Sequence, residues 1–278
     1  MKKILITGGT GFIGRNILSE LSKSKKYIIF STYRKKKIRV KNVNWIKTKT
    51  LKSDKFKDES FDILLDLAWY DLDNYNSLSH INSQVHEHLA LCKNLLKSNN
   101  NMSLYIIGTS LEYGFREGKL NEKFIPRPHV NYSKGKNIYR KNLIKIKKKF
   151  NFKLTWLRPF YIYGDNQQKR TLYSQFKRAV KKKHKKFKMS KGDQKRDYLD
   201  VRKVAKILIN LINKNTEFGI VNICSGKPVR IIDLVKSWKK NLNSKIILER
   251  GLLSIPKHEP YFFYGDNKKL KMIINEKI

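Results

Sequence analysis

The sequence predicts an α/β fold: a doubly wound parallel sheet followed by a smaller C-terminal region. Three observations carry this. Short apolar runs alternate with helically spaced ones up to about residue 160, the pattern of parallel strands joined by crossover helices. A glycine-rich turn, Gly8, Gly11 and Gly14, separates the first apolar run from the first helical one. The 278 residues are 40% hydrophobic and 12% aromatic, enough for one large core with an annex and too apolar for a disordered chain.

In chain order, Ile4 to Thr7 is an apolar run ended by glycines, hence a buried first strand. Phe12 to Leu21 carries Ile13, Ile17, Leu18 and Leu21 at helical spacing. Tyr27 to Thr32 reads as a second strand. Phe61 to Ala68, with Ile63, Leu64, Leu65 and Leu67, reads as another. Ile81 to Leu96 reads as one long helix, Leu104 to Gly108 as a strand and Tyr132 to Phe150 as a helix. Leu154 to Leu157 is a strand ended by Arg158-Pro159. The pattern then loosens into a helix over Val204 to Ile212, a strand over Ile220 to Ile223, and a helix over Ile231 to Trp238.

Lys and Arg number 62 against 22 Asp and Glu, a formal charge of +40. Such a field attracts nucleic acid, anionic lipid and small anions alike. The cations are mostly lysine, which an AT-rich genome supplies freely, whereas phosphate recognition favours arginine. Composition alone therefore accounts for much of the charge. No run approaches the apolar length of a membrane span, and Thr7, Gly8 and Gly9 interrupt the N-terminal run before a signal sequence forms. Cys92 and Cys224 are too few for a disulfide scaffold or a cysteine zinc site, and a reducing cytoplasm is the simplest location. The six histidines show no convincing metal spacing.

Gly8, Gly11 and Gly14 are spaced G-x-x-G-x-x-G between a strand and a helix. Glycine there lets backbone amides approach a pyrophosphate, and the helix N-terminus adds partial positive charge. The turn with Phe12 and Ile13 is thus a dinucleotide site. An NAD site usually ends its second strand with an acid for the ribose 2′-hydroxyl. Here the strand ends Ser31-Thr32-Tyr33-Arg34-Lys35, and Arg34 suits a 2′-phosphate, so NADP is expected and NAD is the alternative. Residues 1–160 form this nucleotide-binding domain and 161–278 a substrate-binding region, of which 203–224 returns to the sheet.

Tyr132 and Lys136 stand at i and i+4 on one helix face, where an ammonium would lower the tyrosine pKa for acid–base work. Upstream, Gly108-Thr109-Ser110-Leu111-Glu112-Tyr113-Gly114 ends a strand at the sheet's carboxyl edge. Together these residues resemble the extended short-chain dehydrogenase/reductase family, in its nucleotide-sugar epimerase/dehydratase branch. The resemblance implies a Rossmann sheet and a catalytic set of Thr109, Tyr132 and Lys136, with Ser110 as the alternative hydroxyl or a substrate contact. It places Leu67-Ala68 beside the cofactor, with Tyr132 and Lys136 also touching it, Arg158 to Gly164 beside the nicotinamide, and Arg196 against a sugar-nucleotide diphosphate. One departure is Val201-Arg202-Lys203-Val204, where the family usually has an acid before Val-Ala.

The resemblance implies a nucleotide-sugar substrate and three candidate reactions. Dehydratases of the family follow the catalytic Thr with Asp-Glu; here Ser110 and Leu111 stand there, so elimination is disfavoured. Epimerases usually hold NAD tightly through the acid that is missing. Hydride reduction of a 4-keto-6-deoxy sugar is the expected reaction, with epimerisation as the alternative. Leu67-Ala68-Trp69-Tyr70 and Glu259 to Asp266 are similar to the CDP-abequose synthase-like reductases. A non-enzymatic RNA-binding member is the reading from another class. The basic run Lys177 to Lys191 would serve it, but reads first as a solvated face. Family members commonly pair two helices, so a homodimer is expected through Ile81–Leu96 and Tyr132–Phe150, using Val85, Leu89, Cys92, Leu96, Ile138, Leu143 and Ile146.

Overall fold

The computed structural model describes residues 1–48, 59–255 and 260–275. Strand β1 (Lys2–Thr7) leads through the glycine turn into helix α1 (Phe12–Leu21), then β2 (Tyr27–Tyr33), β3 (Val43–Lys47) and β4 (Ile63–Asp66). Helices α2 (Ser79–Asn82) and α3 (Gln84–Ser98) precede β5 (Ser103–Ile107), a 3-10 turn (Ser110–Tyr113), β6 (Gly118–Leu120) and helix α4 (Asn131–Ile146). Then come β7 (Lys153–Pro159), β8 (Tyr161–Tyr163), α5 (Leu172–Lys181), β9 (Lys186–Lys188), β10 (Lys195–Asp200), α6 (Val201–Lys214) and β11 (Gly219–Ile223). The chain continues with β12 (Pro228–Arg230), α7 (Ile231–Asn241), β13 (Ile247–Glu249), β14 (Phe263–Gly265) and α8 (Lys268–Ile274).

Seven parallel strands form the central sheet in the order β11-β7-β5-β4-β1-β2-β3. Alternate residues of each strand serve opposite faces. Ile4 and Ile6 pack with Ile17, Leu18, Val204 and Leu208 of α1 and α6. Leu5 packs with Val85, Cys92 and Leu143 of α3 and α4. Both faces are covered, which is why these strands read as unbroken apolar runs. The chain reverses its direction of travel beside β1, and the crevice opens at the strands' carboxyl ends there. Smaller sheets (β12-β10-β8, β13-β9 and β14-β6) and helices α5 and α7 build the remainder around Phe176, Phe187, Val235 and Trp238.

Several expected bounds shift for physical reasons. The strand expected over Phe61 to Ala68 ends at Asp66, because the Leu67 and Ala68 N–H groups donate to Thr7 Oγ1 instead. The single long helix is broken at Ser83, whose hydroxyl donates to the Ser79 carbonyl. Strand β3 escaped the sequence reading because it is an edge strand with Asn44 and Lys47 exposed. Val85, Cys92, Leu96 and Leu143, expected at a dimer face, are buried in the chain's own core. In the basic run, Ala179, Phe187 and Met189 point inward and Lys181 to Lys186 outward. No helix among the described residues is long and apolar enough to cross a membrane.

Candidate active site

The carboxyl ends of β1, β2 and β4 meet the N-terminus of α1 around a cleft of about 590 Å³. Thr7, Gly8, Gly11, Arg34, Leu67 and Ala68 line it. Gly8 stands at φ +68°, and a Cβ there would meet the Ala68 backbone at 3.0 Å. At Gly14 a Cβ would lie 2.3 Å from the Gly8 carbonyl oxygen. Only glycine closes this turn so tightly, and the bare backbone it leaves is the cradle a pyrophosphate needs. The residues present thus fit a dinucleotide. Ile13 packs partly into the core, and Phe12 lines the second cleft rather than this one. At the end of β2 the buried Thr32 hydroxyl accepts the Gly8 N–H at 3.0 Å, and Arg34 is exposed on the cleft rim.

A second cleft, of about 770 Å³, lies between the sheet and the C-terminal region. Thr109, Ser110, Leu111, Tyr132 and Arg196 all line it. Thr109 caps the 3-10 turn after β5, and Tyr132 lies in the first turn of α4, so a strand end and a helix start deliver the two hydroxyls to one place. Burial and the neighbouring Tyr75 push the Tyr132 phenol up, against an opposing effect of Thr109. The expected lowering by Lys136 does not occur. Lys136 is buried, and its ammonium sits 3.7 Å from the centroid of the Trp69 ring. Burial lowers Lys136 to about 7, although Asp66 and Glu112 favour its charge. Arg196 is buried over the Phe263 ring, and its guanidinium donates to the Lys195 and Tyr261 carbonyls at 3.0 and 2.6 Å. In the stretch Val201 to Val204, where the family usually has an acid, Arg202 pairs its guanidinium with Asp200, which also caps α6 at the Arg202 N–H.

Three neighbours of the site escaped the sequence reading, and a fourth was placed differently. Glu112 is fully buried and accepts from the Thr109 N–H at 3.1 Å, from Trp156 Nε1 at 2.9 Å and from Arg158 Nε at 3.0 Å. Its signal was an acid beside Tyr113-Gly114 at a buried strand end. Arg158, expected beside the nicotinamide, is instead the buried partner of that carboxylate. Tyr75 stacks on Tyr132 with centroids 5.2 Å apart, and its carbonyl accepts the Tyr132 N–H at 2.8 Å. Arg170 reaches across the cleft mouth to the Leu72 and Asp73 carbonyls. Neither Tyr75 nor Arg170 belongs to a sequence pattern. Glu259, part of a stretch quoted for the resemblance, lies outside the described residues.

Residues 4–224 match the model of the NAD dependent epimerase/dehydratase family. The chain belongs to that family. It is therefore an enzyme of the epimerase/dehydratase class, built on a Rossmann-type sheet. It is 26% identical over 253 residues, 87% of this chain and 92% of the relative, to a dTDP-6-deoxy-L-talose 4-dehydrogenase (NAD(+)) of Aggregatibacter actinomycetemcomitans. A GDP-6-deoxy-D-talose 4-dehydrogenase of the same organism is 27% identical over 230 residues, 81% of this chain and 74% of the relative. Among solved structures, UDP-glucuronic acid 4-epimerase from Bacillus cereus, in complex with UDP-glucuronic acid and NAD, superposes with a TM-score of 0.81 at 20% identity, over 98% of this chain and 93% of that one. RMD from Pseudomonas aeruginosa, complexed with NADPH, superposes at 0.78 with 17% identity, over 100% of this chain and 94% of that one. These last two likenesses establish the shared fold.

Proposed function

We propose that the protein transfers hydride at carbon 4 of a nucleotide-linked 6-deoxy sugar, in the direction of 4-keto reduction. The carrying observation is that Leu111 lines the larger cleft beside Thr109, Ser110 and Tyr132. A dehydratase needs an acid and a base there for elimination, and a leucine transfers no proton. Both curated relatives named above are 4-dehydrogenases of 6-deoxy-talose, whose names describe the same interconversion read in reverse.

The nicotinamide, when bound, supplies the hydride. The chain's own residues do the rest. Gly8, Gly11, Gly14 and the N-terminus of α1 receive the pyrophosphate, Leu67 and Ala68 flank the cofactor, and Lys136 holds the nicotinamide ribose. Tyr132, kept protonated by burial, gives its proton to the sugar oxygen as charge develops on it. Thr109 hydrogen-bonds that oxygen, Ser110 contacts the sugar, and Arg196 faces the diphosphate. NADP is the preferred cofactor: Thr32 in place of an acid leaves no carboxylate to repel a 2′-phosphate, and Arg34 on the rim meets it.

The test is incubation with a dTDP- or GDP-linked 4-keto-6-deoxy hexose and either NADPH or NADH. Loss of the reduced cofactor with formation of one C4 alcohol supports the reading, faster with NADPH. Given the corresponding nucleotide-linked 4-hydroxy sugar instead, inversion at C4 with no net change in cofactor would make the protein an epimerase.

A further inference from the structure

Trp69 follows Leu67-Ala68 past the end of β4 and lines the smaller cleft. Its ring is held by two histidines. Nε1 donates to His80 Nδ1 at 3.0 Å. His80 Nδ1 also receives Gln84 Nε2 at 3.0 Å, so its proton sits on Nε2 and is donated to the Asn74 carbonyl at 2.9 Å. His88 stacks on the indole, with centroids 4.9 Å apart and planes at 27°. His88 is itself fixed by Asp66, 2.7 Å from its Nδ1, and Asp66 also accepts from the Tyr139 hydroxyl at 3.0 Å. The ring is thus a clamped plate. On it rests the Lys136 ammonium, 3.7 Å from the centroid and almost wholly out of water.

An ammonium stripped of water is favoured by the negative face of an indole, and more strongly the drier the site. We propose that Trp69 is a positioning residue for Lys136, keeping the ammonium charged and fixed against the wall of the cofactor cleft that Trp69 lines. This rests on Lys136 being the residue that holds the nicotinamide ribose. The titratable groups on the elements packed against Lys136 are Asp66 of β4, Glu112 of the 3-10 turn, His80 of α2, and His88 and Cys92 of α3. Its own helix adds Tyr132, Tyr139 and Arg140. The two carboxylates support the charge but burial outweighs them, leaving Lys136 at about 7. At that value, a change in support for the ammonium moves its titration across the working pH range.

The experiment is cofactor binding by calorimetry on the full chain, as a function of pH, for wild type, Trp69→Phe and Trp69→Leu. Wild-type affinity should fall as Lys136 loses its proton. In Trp69→Leu the fall should begin about one pH unit lower, which is about tenfold weaker binding on the alkaline side. Trp69→Phe, with a smaller aromatic face, should lie between. A Leu variant whose profile superposes on wild type overturns the proposal. If that variant does not fold, fluorotryptophans placed at position 69 keep the shape and the N–H while weakening the ring face. Binding should then weaken with each added fluorine, and a flat series overturns the proposal. A shifted profile in a protein that reduces no 4-keto sugar would sink the proposed reaction and leave the role of Trp69 standing. Absence of cofactor binding would overturn both.

Discussion

Glu112 accepts the backbone N–H of Thr109 at 3.1 Å through the same carboxylate that receives the Arg158 guanidinium at 2.9 Å. Both partners of the ion pair have no exposed surface. The hydroxyl proposed to meet the reacting sugar oxygen is thereby braced from beneath by a buried pair reaching across to β7. Removing one partner leaves the other charge stranded in a dry interior. Glu112→Ala is expected to cost about 3–5 kcal/mol of stability, measured by urea unfolding. Glu112→Gln keeps an acceptor for Thr109 and should lose less. A Glu112→Ala protein as stable as wild type would contradict this account.

Gly14→Ala tests the cofactor cradle. Its Cβ would lie 2.3 Å from the Gly8 carbonyl oxygen, so the turn must open. Cofactor affinity is expected to fall at least tenfold, which corresponds to about 1.4 kcal/mol. Calorimetric titration with the dinucleotide checks it, and unchanged affinity would show that the turn does not carry the pyrophosphate.

Tyr132→Phe removes only the proposed proton donor. Turnover should fall by about 10² to 10⁴, while cofactor affinity and melting temperature stay near wild type. Full turnover in the phenylalanine variant would remove Tyr132 from the mechanism.

Lys136→Met is expected to stabilise the fold while weakening cofactor binding. The folded pKa of Lys136 is about 7, below the ordinary 10.5. Between those values the unfolded chain binds more protons than the folded one, so stability rises with pH there. Burying the ammonium is therefore a cost present in full below the folded value and relieved toward the unfolded one. The methionine variant should gain on the order of 2 kcal/mol near neutrality, less because Asp66 and Glu112 lose a cation, and the gain should shrink toward alkaline pH. Scanning calorimetry across pH would expose a variant less stable than wild type in mild acid, the opposite sign.

Association through α3 and α4 should depend on salt. The stripe Val85, Cys92, Leu96 and Leu143 is buried within the subunit. The outward surface of these helices instead carries Lys93, Lys97, Lys134, Lys141 and Lys145, with Ile144 exposed among them. Like charges facing across a two-fold axis repel, and salt screens them. Light scattering is expected to give a monomer at low ionic strength and a growing dimer fraction as salt is added. A dimer that dissociates with salt would mean that another surface is used.

Residue order alone was enough for the parallel sheet, the glycine turn and the i, i+4 pair Tyr132 and Lys136. Each is a local pattern whose physics is complete within a few residues: apolar runs for strands covered on both faces, a missing Cβ for a closed turn, helical pitch for a shared face. The same locality explains the misreadings. A run such as Phe61 to Ala68 looks uniform, and nothing in it says that Leu67 and Ala68 will turn their amides to Thr7, some sixty positions earlier. A helical stripe shows that α3 and α4 have an apolar face, but not whether that face meets the chain's own sheet or a second copy.

Tertiary structure decided the chemistry around those residues. Glu112 meets Arg158 across 46 positions, Trp69 meets Lys136 between different elements, and Tyr75 comes down on Tyr132 from a loop with no periodicity. Such contacts depend on where separate elements dock, and burial then sets their consequences. A lysine and a tyrosine one helical turn apart were enough to predict a lowered phenol pKa. In the fold the ammonium turned to an indole and the phenol lost its water, so the lysine came down and the tyrosine went up.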